Sequence, residues 1–263
     1  MSTQVAVFGA GGRMGSTVCQ AVAADPDLEL MAAIDPHHAG LDLRQVTGVE
    51  GTGLQVLRDP DGIGAIRPHV AVDFTRVEAA RENLAWCAAN GVHAVVGTTG
   101  FTDSDLAALE RAFTSSNCVI APNFAVGAVL MMRFAELAAP YFESAEIIEL
   151  HHDKKVDAPS GTAMLTAERM AGASHDWGKD PTETEVLPGA RGGAGPADIR
   201  VHSVRLRGLV AHQEVLLGTT GQSLSIRHDS YDRTSFMPGV VLAVKAVGGR
   251  PGVTVGLDAL LGI

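Results

Sequence analysis

The sequence predicts an α/β fold: a parallel sheet covered on both faces by helices, followed by a region of different pattern. Two observations carry this. From residue 4 to about 123, short apolar runs rich in β-branched residues alternate with helical stretches of roughly 10–13 residues. After about residue 124 the alternation stops, and a long apolar-faced helix leads into strand-like segments joined by turns.

QVAVFG (4–9) reads as a buried strand because it is short, apolar and partly β-branched. It runs into GAGGRMG and an apolar-periodic helix from Met14 to about Ala24, ended by Asp25-Pro26. LELMAAID (28–35) is a second strand ending in an acid, and HVAVDFT (69–75) is a third; the 36–66 stretch between them has the least regular pattern. A helix from about Val77 to Ala89 stops at Asn90-Gly91, residues suited to a left-handed cap. HAVVGTTG (93–100) is a strand and glycine-rich turn, Thr102 can cap the helix DSDLAALERAF, and CVIAPN (118–123) is the next strand.

AVGAVLMMRFAELAAPYF (125–142) is then read as one long helix, AEIIEL (145–150) as a strand, and Thr162 to Ala171 as a helix before a Pro- and Gly-rich loop at 178–197. IRVHSVRL, QEVLLGT and SLSIRHDS are expected to be consecutive antiparallel strands, with a turn at Gly218 to Gly221. The apolar helix PGVVLAVKAV and the tail VTVGLDALLGI need a partner surface and are expected to return to the first domain. The expected domains are therefore 1–124 with 235–263, and 125–234, joined by crossings near residues 124 and 235.

Composition narrows the function classes. Of 263 residues, 46% are hydrophobic and 19% charged, which argues against disorder. A formal charge of −10 without a basic run leaves no footprint for nucleic acid. No apolar stretch reaches the roughly 18–20 residues needed to span a bilayer. The opening MSTQVAVFGAGG lacks a basic n-region, so no signal peptide is expected. Cys19, Cys87 and Cys118 are odd in number, widely spaced and set in apolar segments, which suits buried reduced thiols and not disulfides or zinc. The expectation is a soluble cytoplasmic protein with no nucleic-acid or membrane partner and no metal.

Gly9, Ala10, Gly11, Gly12, Arg13, Met14 and Gly15 form a glycine-rich strand-to-helix turn that departs from strict GxGxxG spacing by one residue. Glycine there lets the backbone turn tightly and approach a pyrophosphate at the helix N-terminus, though such turns also occur without ligands. Asp35 ends the second strand about 20 residues on, where a carboxylate can accept from an adenosine ribose. Gly97-Thr98-Thr99-Gly100 and Ala121-Pro122-Asn123-Phe124 follow strands of the same sheet, at its ligand-binding carboxyl edge, or serve only as ordinary connections.

ELHHDKKVDAPSGTA (149–163) gathers the remaining chemistry. His151 or His152 could move protons near neutrality, and a nearby lysine could bind an anion or act as an acid. Ser160-Gly161-Thr162 opens a helix whose N–H groups and a hydroxyl can bind a carboxylate. The plainer readings are a solvated Lys154, an Asp153 that only pairs with a lysine, and an Asp157 that only caps a turn.

With GAGGRMG (9–15), VDFT (72–75), GTTGF (97–101), APNFAVG (121–127), ELHHDKKVDAPSGTA and HDSYDRTSF (228–236), the chain resembles the 4-hydroxy-tetrahydrodipicolinate (dihydrodipicolinate) reductase family of bacterial lysine biosynthesis. LPGARG (187–192) and GLVAHQEVLLG (208–218) resemble its actinobacterial branch. The resemblance implies a Rossmann-like doubly wound domain binding NADH or NADPH, and a smaller α+β domain that binds a cyclic dicarboxylate and assembles a homotetramer. It implies that His151 donates and accepts a proton, that Lys155 donates one, and that His152, Gly161 and Thr162 contact substrate. Gly9 to Met14, Asp35, Gly97 to Thr99 and Ala121 to Phe124 would hold the cofactor. Pro36, His37 and His38 follow Asp35, where some members place an arginine that meets a 2′-phosphate, so cofactor preference stays open. An aspartate dehydrogenase-like enzyme and a non-catalytic nucleotide sensor are the alternatives.

Overall fold

The structure is a computed structural model that describes residues 2–63 and 67–263. In chain order the elements are β1 (Thr3–Phe8), α1 (Arg13–Ala24), β2 (Leu28–Ile34), α2 (Leu43–Thr47), β3 (Val70–Asp73), α3 (Val77–Asn90), β4 (His93–Val96), α4 (Asp103–Ala112) and β5 (Cys118–Ile120). Then come α5 (Val126–Ala138), β6 (Ser144–His151), α6 (Gly161–Ala173), β7 (Gly193–Ala194), β8 (Arg200–Arg205), β9 (Ala211–Thr219) and β10 (Gln222–Ser230). The chain closes with α7 (Met237–Ala246), β11 (Val253–Val255) and α8 (Asp258–Leu261). It divides into two compact units, Met1–Phe124 with Phe236–Ile263, and Ala125–Ser235.

The first unit holds a six-stranded sheet in the order β11-β5-β4-β3-β1-β2, every pairing parallel. Its inner strands are buried on both faces, which is why they read as unbroken apolar runs. This is a Rossmann-like arrangement: the strand order reverses beside β1, with β2 on one side and β3 on the other. The helix ends follow local chemistry. Thr102 and Asp105 form a reciprocal capping box on α4, and Gly91 closes α3 at φ 68°. Gly15 lies where α1 crosses the strand end; a Cβ there would stand 2.0 Å from the Gly9 carbonyl oxygen. α7 packs on α1 and β4, and Lys245 bonds Asp25 and Asp27 at the α1–β2 turn (2.9 and 2.7 Å).

The tail departs from its reading as a plain apolar segment. Residues 253–255 add a sixth strand beside β5, a run too short to show periodicity. Within 36–66, the chain forms α2, capped by Asp42, and a 3-10 turn at Pro60–Ile63; residues 64–66 lie outside the described residues. Cys19, Cys87 and Cys118 are buried free thiols, and burial pushes the Cys19 thiol up to about 12. Among the described residues no helix is long and apolar enough to cross a membrane.

The second unit holds a five-stranded mixed sheet in the order β10-β9-β6-β8-β7. This corrects the expectation of consecutive antiparallel strands. β9 pairs antiparallel with both β10 and β6, but β8 runs parallel to β6 and does not neighbour β9. β6 takes the centre because its Ile147 packs between Val215 and Val201 under α6, and all three are buried. The helix expected over 125–142 also ends early, at Ala138, and continues as a 3-10 turn over Ala139–Tyr141. Pro140 has no N–H to extend the α-helical ladder.

Replacing Gly15 with Ala should cost about 1–3 kcal/mol, because the overlap with backbone cannot be relieved by a side-chain rotation. Gly172→Ala, in α6 with nothing within 4 Å, should be neutral or stabilising by up to ~1 kcal/mol. Thermal unfolding of the two variants checks the contrast.

Candidate active site

The carboxyl edge of the first sheet is organised by the glycine turn and two carboxylates. Gly9 and Ala10 N–H groups both donate to the Ile34 carbonyl (2.8 and 3.1 Å), and Gly12 N–H to that of Gly9 (2.9 Å). α1 begins after Gly12 with no side-chain cap, so its first N–H groups meet no side-chain acceptor of their own. Asp35, 7% exposed, follows β2 directly. Its Oδ2 accepts from Gly11 N (3.0 Å), and its Oδ1 accepts from His37 N (2.9 Å) and lies 3.0 Å from His38 Nδ1. Burial pushes this carboxyl up, but bonds from His38, His37 N and Gly11 N outweigh it and hold it below the usual carboxylate range. An uncapped helix N-terminus beside a buried, ionised carboxylate fits the diphosphate and ribose of a dinucleotide.

Asp73 plays the matching part at the end of β3. It is buried and accepts from Thr75 N (2.8 Å), Thr75 Oγ1 (2.7 Å), Asn83 Nδ2 (2.8 Å) and Thr98 Oγ1 (3.0 Å). The Thr98 hydroxyl is therefore used internally, and only Thr99 and Gly100 of that turn are exposed. Ala10, Ala121 and Phe124 are buried, with the Phe124 ring 5.6 Å from Phe74. What these three offer a ligand is backbone. Gly12, Arg13 and Pro122 are exposed, whereas Gly11, Met14, Gly97 and Asn123 are half-buried.

In the second unit, β6 delivers His151 at its last position, two residues after Glu149 and on the same strand face. Glu149 is fully buried. Its Oε2 lies 2.5 Å from His151 Nδ1 and accepts from Arg205 Nη1 (2.9 Å); its Oε1 accepts from Arg205 Nη2 (2.8 Å) and Ser160 N (3.3 Å). Arg205 sits opposite His151 in the β6–β8 register, and its Nη2 also donates to the Asp157 carbonyl (2.7 Å). Burial pushes the Glu149 carboxyl up, and bonds from Arg205, Ser203 and His151 bring it below its ordinary value. Burial also lowers the His151 imidazole; the Glu149 bond and charge oppose this, while Lys155 and Arg205 reinforce it, and the net direction is down. The neutral imidazole therefore prevails at neutral pH.

Lys155 is half-buried and bonds both Asp157 oxygens (2.8 and 2.7 Å), so Asp157 is an ion-pair partner and not merely a turn cap. Asp153 pairs with Arg207 (2.9 Å), not with a lysine. His152 and Lys154 are exposed, and His152 Nδ1 accepts from Lys154 N (3.2 Å). The Ser160 hydroxyl caps α6 by accepting from Ala163 N (3.2 Å), so Thr162 supplies the remaining hydroxyl of this turn. A Cβ on Gly161 would meet nothing within 4 Å, leaving open space over the helix start.

The structure thus links His151, Ser160 and the 155–157 loop through Glu149 and Arg205, two residues the motif reading did not single out. The available signals were a glutamate at i−2 of His151 on a strand, and an arginine ending the strand-like IRVHSVR. Among the described residues no cluster of three or more His, Cys, Asp or Glu could hold a metal.

Comparison with known proteins agrees along the whole chain. Residues 3–124 match the family described as dihydrodipicolinate reductase, N-terminus, and residues 127–261 match dihydrodipicolinate reductase, C-terminus. The chain is 49% identical to the 4-hydroxy-tetrahydrodipicolinate reductase of Cutibacterium acnes, over 99% of each chain, and 50% identical to that of Nocardia farcinica, also over 99% of each. Among solved structures, dipicolinate-bound dihydrodipicolinate reductase from Paenisporosarcina sp. TG-14 superposes with a TM-score of 0.87 at 41% identity, covering 98% of this chain and 99% of that one. An amine dehydrogenase from Mycobacterium smegmatis, at 15% identity and a TM-score of 0.67, shares the fold alone. By sequence over its full length and by fold, the chain belongs to the dihydrodipicolinate reductase family.

Proposed function

We propose that the protein reduces 4-hydroxy-tetrahydrodipicolinate to tetrahydrodipicolinate in the diaminopimelate route to lysine, with NADH or NADPH as reductant and release of water. One observation carries this beyond family membership. A carboxylate-held imidazole, an ammonium and an anion-binding helix start converge within residues 149–162. In this reading the first unit binds the dinucleotide through Gly9 to Met14, Asp35, Gly97 to Thr99 and the backbone of Ala121 to Phe124. The second unit binds the cyclic dicarboxylate through His152, Gly161 and Thr162.

The substrate's chemistry assigns the protons. The hydroxyl lies one carbon beyond the α-carbon of the ring imine. Loss of a proton from that α-carbon, with departure of the hydroxyl as water, gives a conjugated imine. The bound reduced nicotinamide supplies a hydride to the carbon that lost the hydroxyl. The resulting enamine then takes a proton at the α-carbon and becomes an imine again. Substrate, NAD(P)H and one proton give product, NAD(P)⁺ and water. His151, with Nδ1–H turned to Glu149, offers its Nε2 lone pair to accept the α-proton and return it. Lys155 protonates the departing hydroxyl and attracts a ring carboxylate, whose arrival competes with Asp157 for the ammonium. Gly161 and Thr162 N–H groups at the start of α6 hold the other carboxylate.

Steady-state turnover tests the reading. Reduction of the cyclic substrate supports it; oxidation of L-aspartate instead, or dinucleotide binding without turnover on either, contradicts it. Changing His151 or Lys155 to an uncharged residue should lower kcat roughly 10²–10⁴-fold with cofactor affinity unchanged. Lys155→Ala should also raise KM, whereas exposed Lys154→Ala should stay near full activity. Equal, mild effects of the two lysine changes would replace the catalytic pair with a general basic patch.

Asp35 bears on the choice of dinucleotide. Its ionised carboxylate suits a ribose diol and repels a 2′-phosphate, which supports NADH, although His37 and His38 lie beside it. Asp35→Ala should weaken NADH by about tenfold or more, and NADPH less. Equal NADH affinity in variant and parent, by calorimetry, would remove Asp35 from the site.

The homotetramer belongs to the same reading. α5 and α6 cover one face of the second sheet. Strand alternation places Ile148, Leu150, Val204 and Leu216 on the other, half-buried beside the Glu146–His202 and Glu214–Arg227 ion pairs. Such an apolar face with satisfied charges suits pairing with another copy. Sedimentation should show a tetramer, and a stable active monomer at micromolar concentration would contradict it. The buried free thiols support a cytoplasmic location.

A further inference from the structure

We infer that Glu149 is a positioning residue: it fixes the tautomer of His151 and joins that imidazole to the carboxylate-binding start of α6, with Arg205 as its counter-ion. This rests on the proposed function for the role of His151, but its geometry stands apart from it.

A lone carboxylate in the middle strand of a packed sheet is strongly disfavoured unless its charge is matched and its lone pairs are filled. Glu149, 0% exposed, meets both conditions: Arg205 and His151 Nδ1 meet one oxygen, Arg205 and Ser160 N the other, and the Ser203 side chain bonds the carboxylate as well. The Arg205 fork spans both oxygens, in the bidentate geometry that a lysine could not reproduce. Two of the remaining donors, His151 Nδ1 and Ser160 N, belong to the two halves of the site. One carboxylate therefore sets the spacing between the imidazole and the helix start. Arg205 extends the link by bonding the backbone carbonyl of Asp157, the residue whose carboxylate holds Lys155.

The bond also decides where the proton sits. An ionised carboxylate only accepts, so a neutral His151 must carry its hydrogen on Nδ1 and leave Nε2 as the acceptor. The opposite tautomer would set two acceptors face to face in a buried place. A purely structural glutamate, present only to anchor Arg205, would not require this tautomer.

The charged groups acting on His151 are Glu149, which raises its proton affinity, and Lys155 and Arg205, which lower it. Glu149→Gln removes the opposing carboxylate and leaves burial, Lys155 and Arg205 all pointing down. The acid limb of kcat/KM should then move to lower pH. At its optimum the variant's kcat should fall about 10–100-fold, the range for partners that orient a working imidazole in metal sites. KM for the dinucleotide should not change. Glu149→Asp, which keeps the charge, should recover part of the loss.

The deciding experiment is nitrogen-15 NMR of histidine-labelled full-length protein, parent and Glu149→Gln, alongside these pH profiles. The inference predicts an Nδ1–H tautomer for His151 in the parent, and loss of that preference in the variant. An Nε2–H tautomer in the parent overturns it, even if the variants fail to fold. So does a variant with the parent's tautomer and an unmoved acid limb. If the parent turned over no cyclic dicarboxylate, the proposed function would fall, while the tautomer would still decide the part assigned to Glu149.

Discussion

Everything in the second unit turns on one buried charge. Glu149 occupies the central strand, two residues beyond the apolar layer of Ile147, Val201 and Val215, and it is held ionised by Arg205 from the adjacent strand. Removing either partner would leave the other charge uncompensated, so the pair constrains strand order as well as chemistry. The parallel β6–β8 pairing is what sets Arg205 in register with His151. An arrangement of β8, β9 and β10 as a simple meander would not bring that guanidinium to Glu149.

The first unit uses the same device twice. Asp35 and Asp73 are buried carboxylates at strand ends; Asp35 takes two backbone N–H groups from the turns around it, and Asp73 takes one with three side-chain donors. Asp35 ties the glycine turn to the end of β2, while Asp73 ties the end of β3 to Thr98 after β4. The glycine turn and the turn after β4 are thereby each tied to a strand-end carboxylate.

Patterns of hydrophobicity and turn chemistry disclosed most of this architecture in advance. The parallel sheet followed from buried runs such as VAVF and HAVV, and the ends of α3 and α4 from Gly91 and Thr102, because those features depend on local energetics alone. Strand order in the second sheet did not follow, since pairing partners are chosen by long-range packing around Ile147. The cluster at 149–163 stood out by composition, but composition could not show that Asp157 holds Lys155 or that Arg205, 56 positions along the chain from Glu149, completes the carboxylate's shell. A strand glutamate two residues before a histidine announces a shared face, not a fully buried ion pair.

The central claim is that a hydride reaches the carbon that loses the hydroxyl, while the neighbouring α-carbon exchanges its proton through the protein. It is tested most directly by following the reaction with dinucleotide deuterated at the transferable position, and separately in deuterated water, with the product read by NMR. The account predicts deuterium from the dinucleotide at the former hydroxyl carbon and solvent deuterium at the α-carbon, with the imine retained. Delivery of the dinucleotide's deuterium to the imine carbon, or a product without it, would contradict the account.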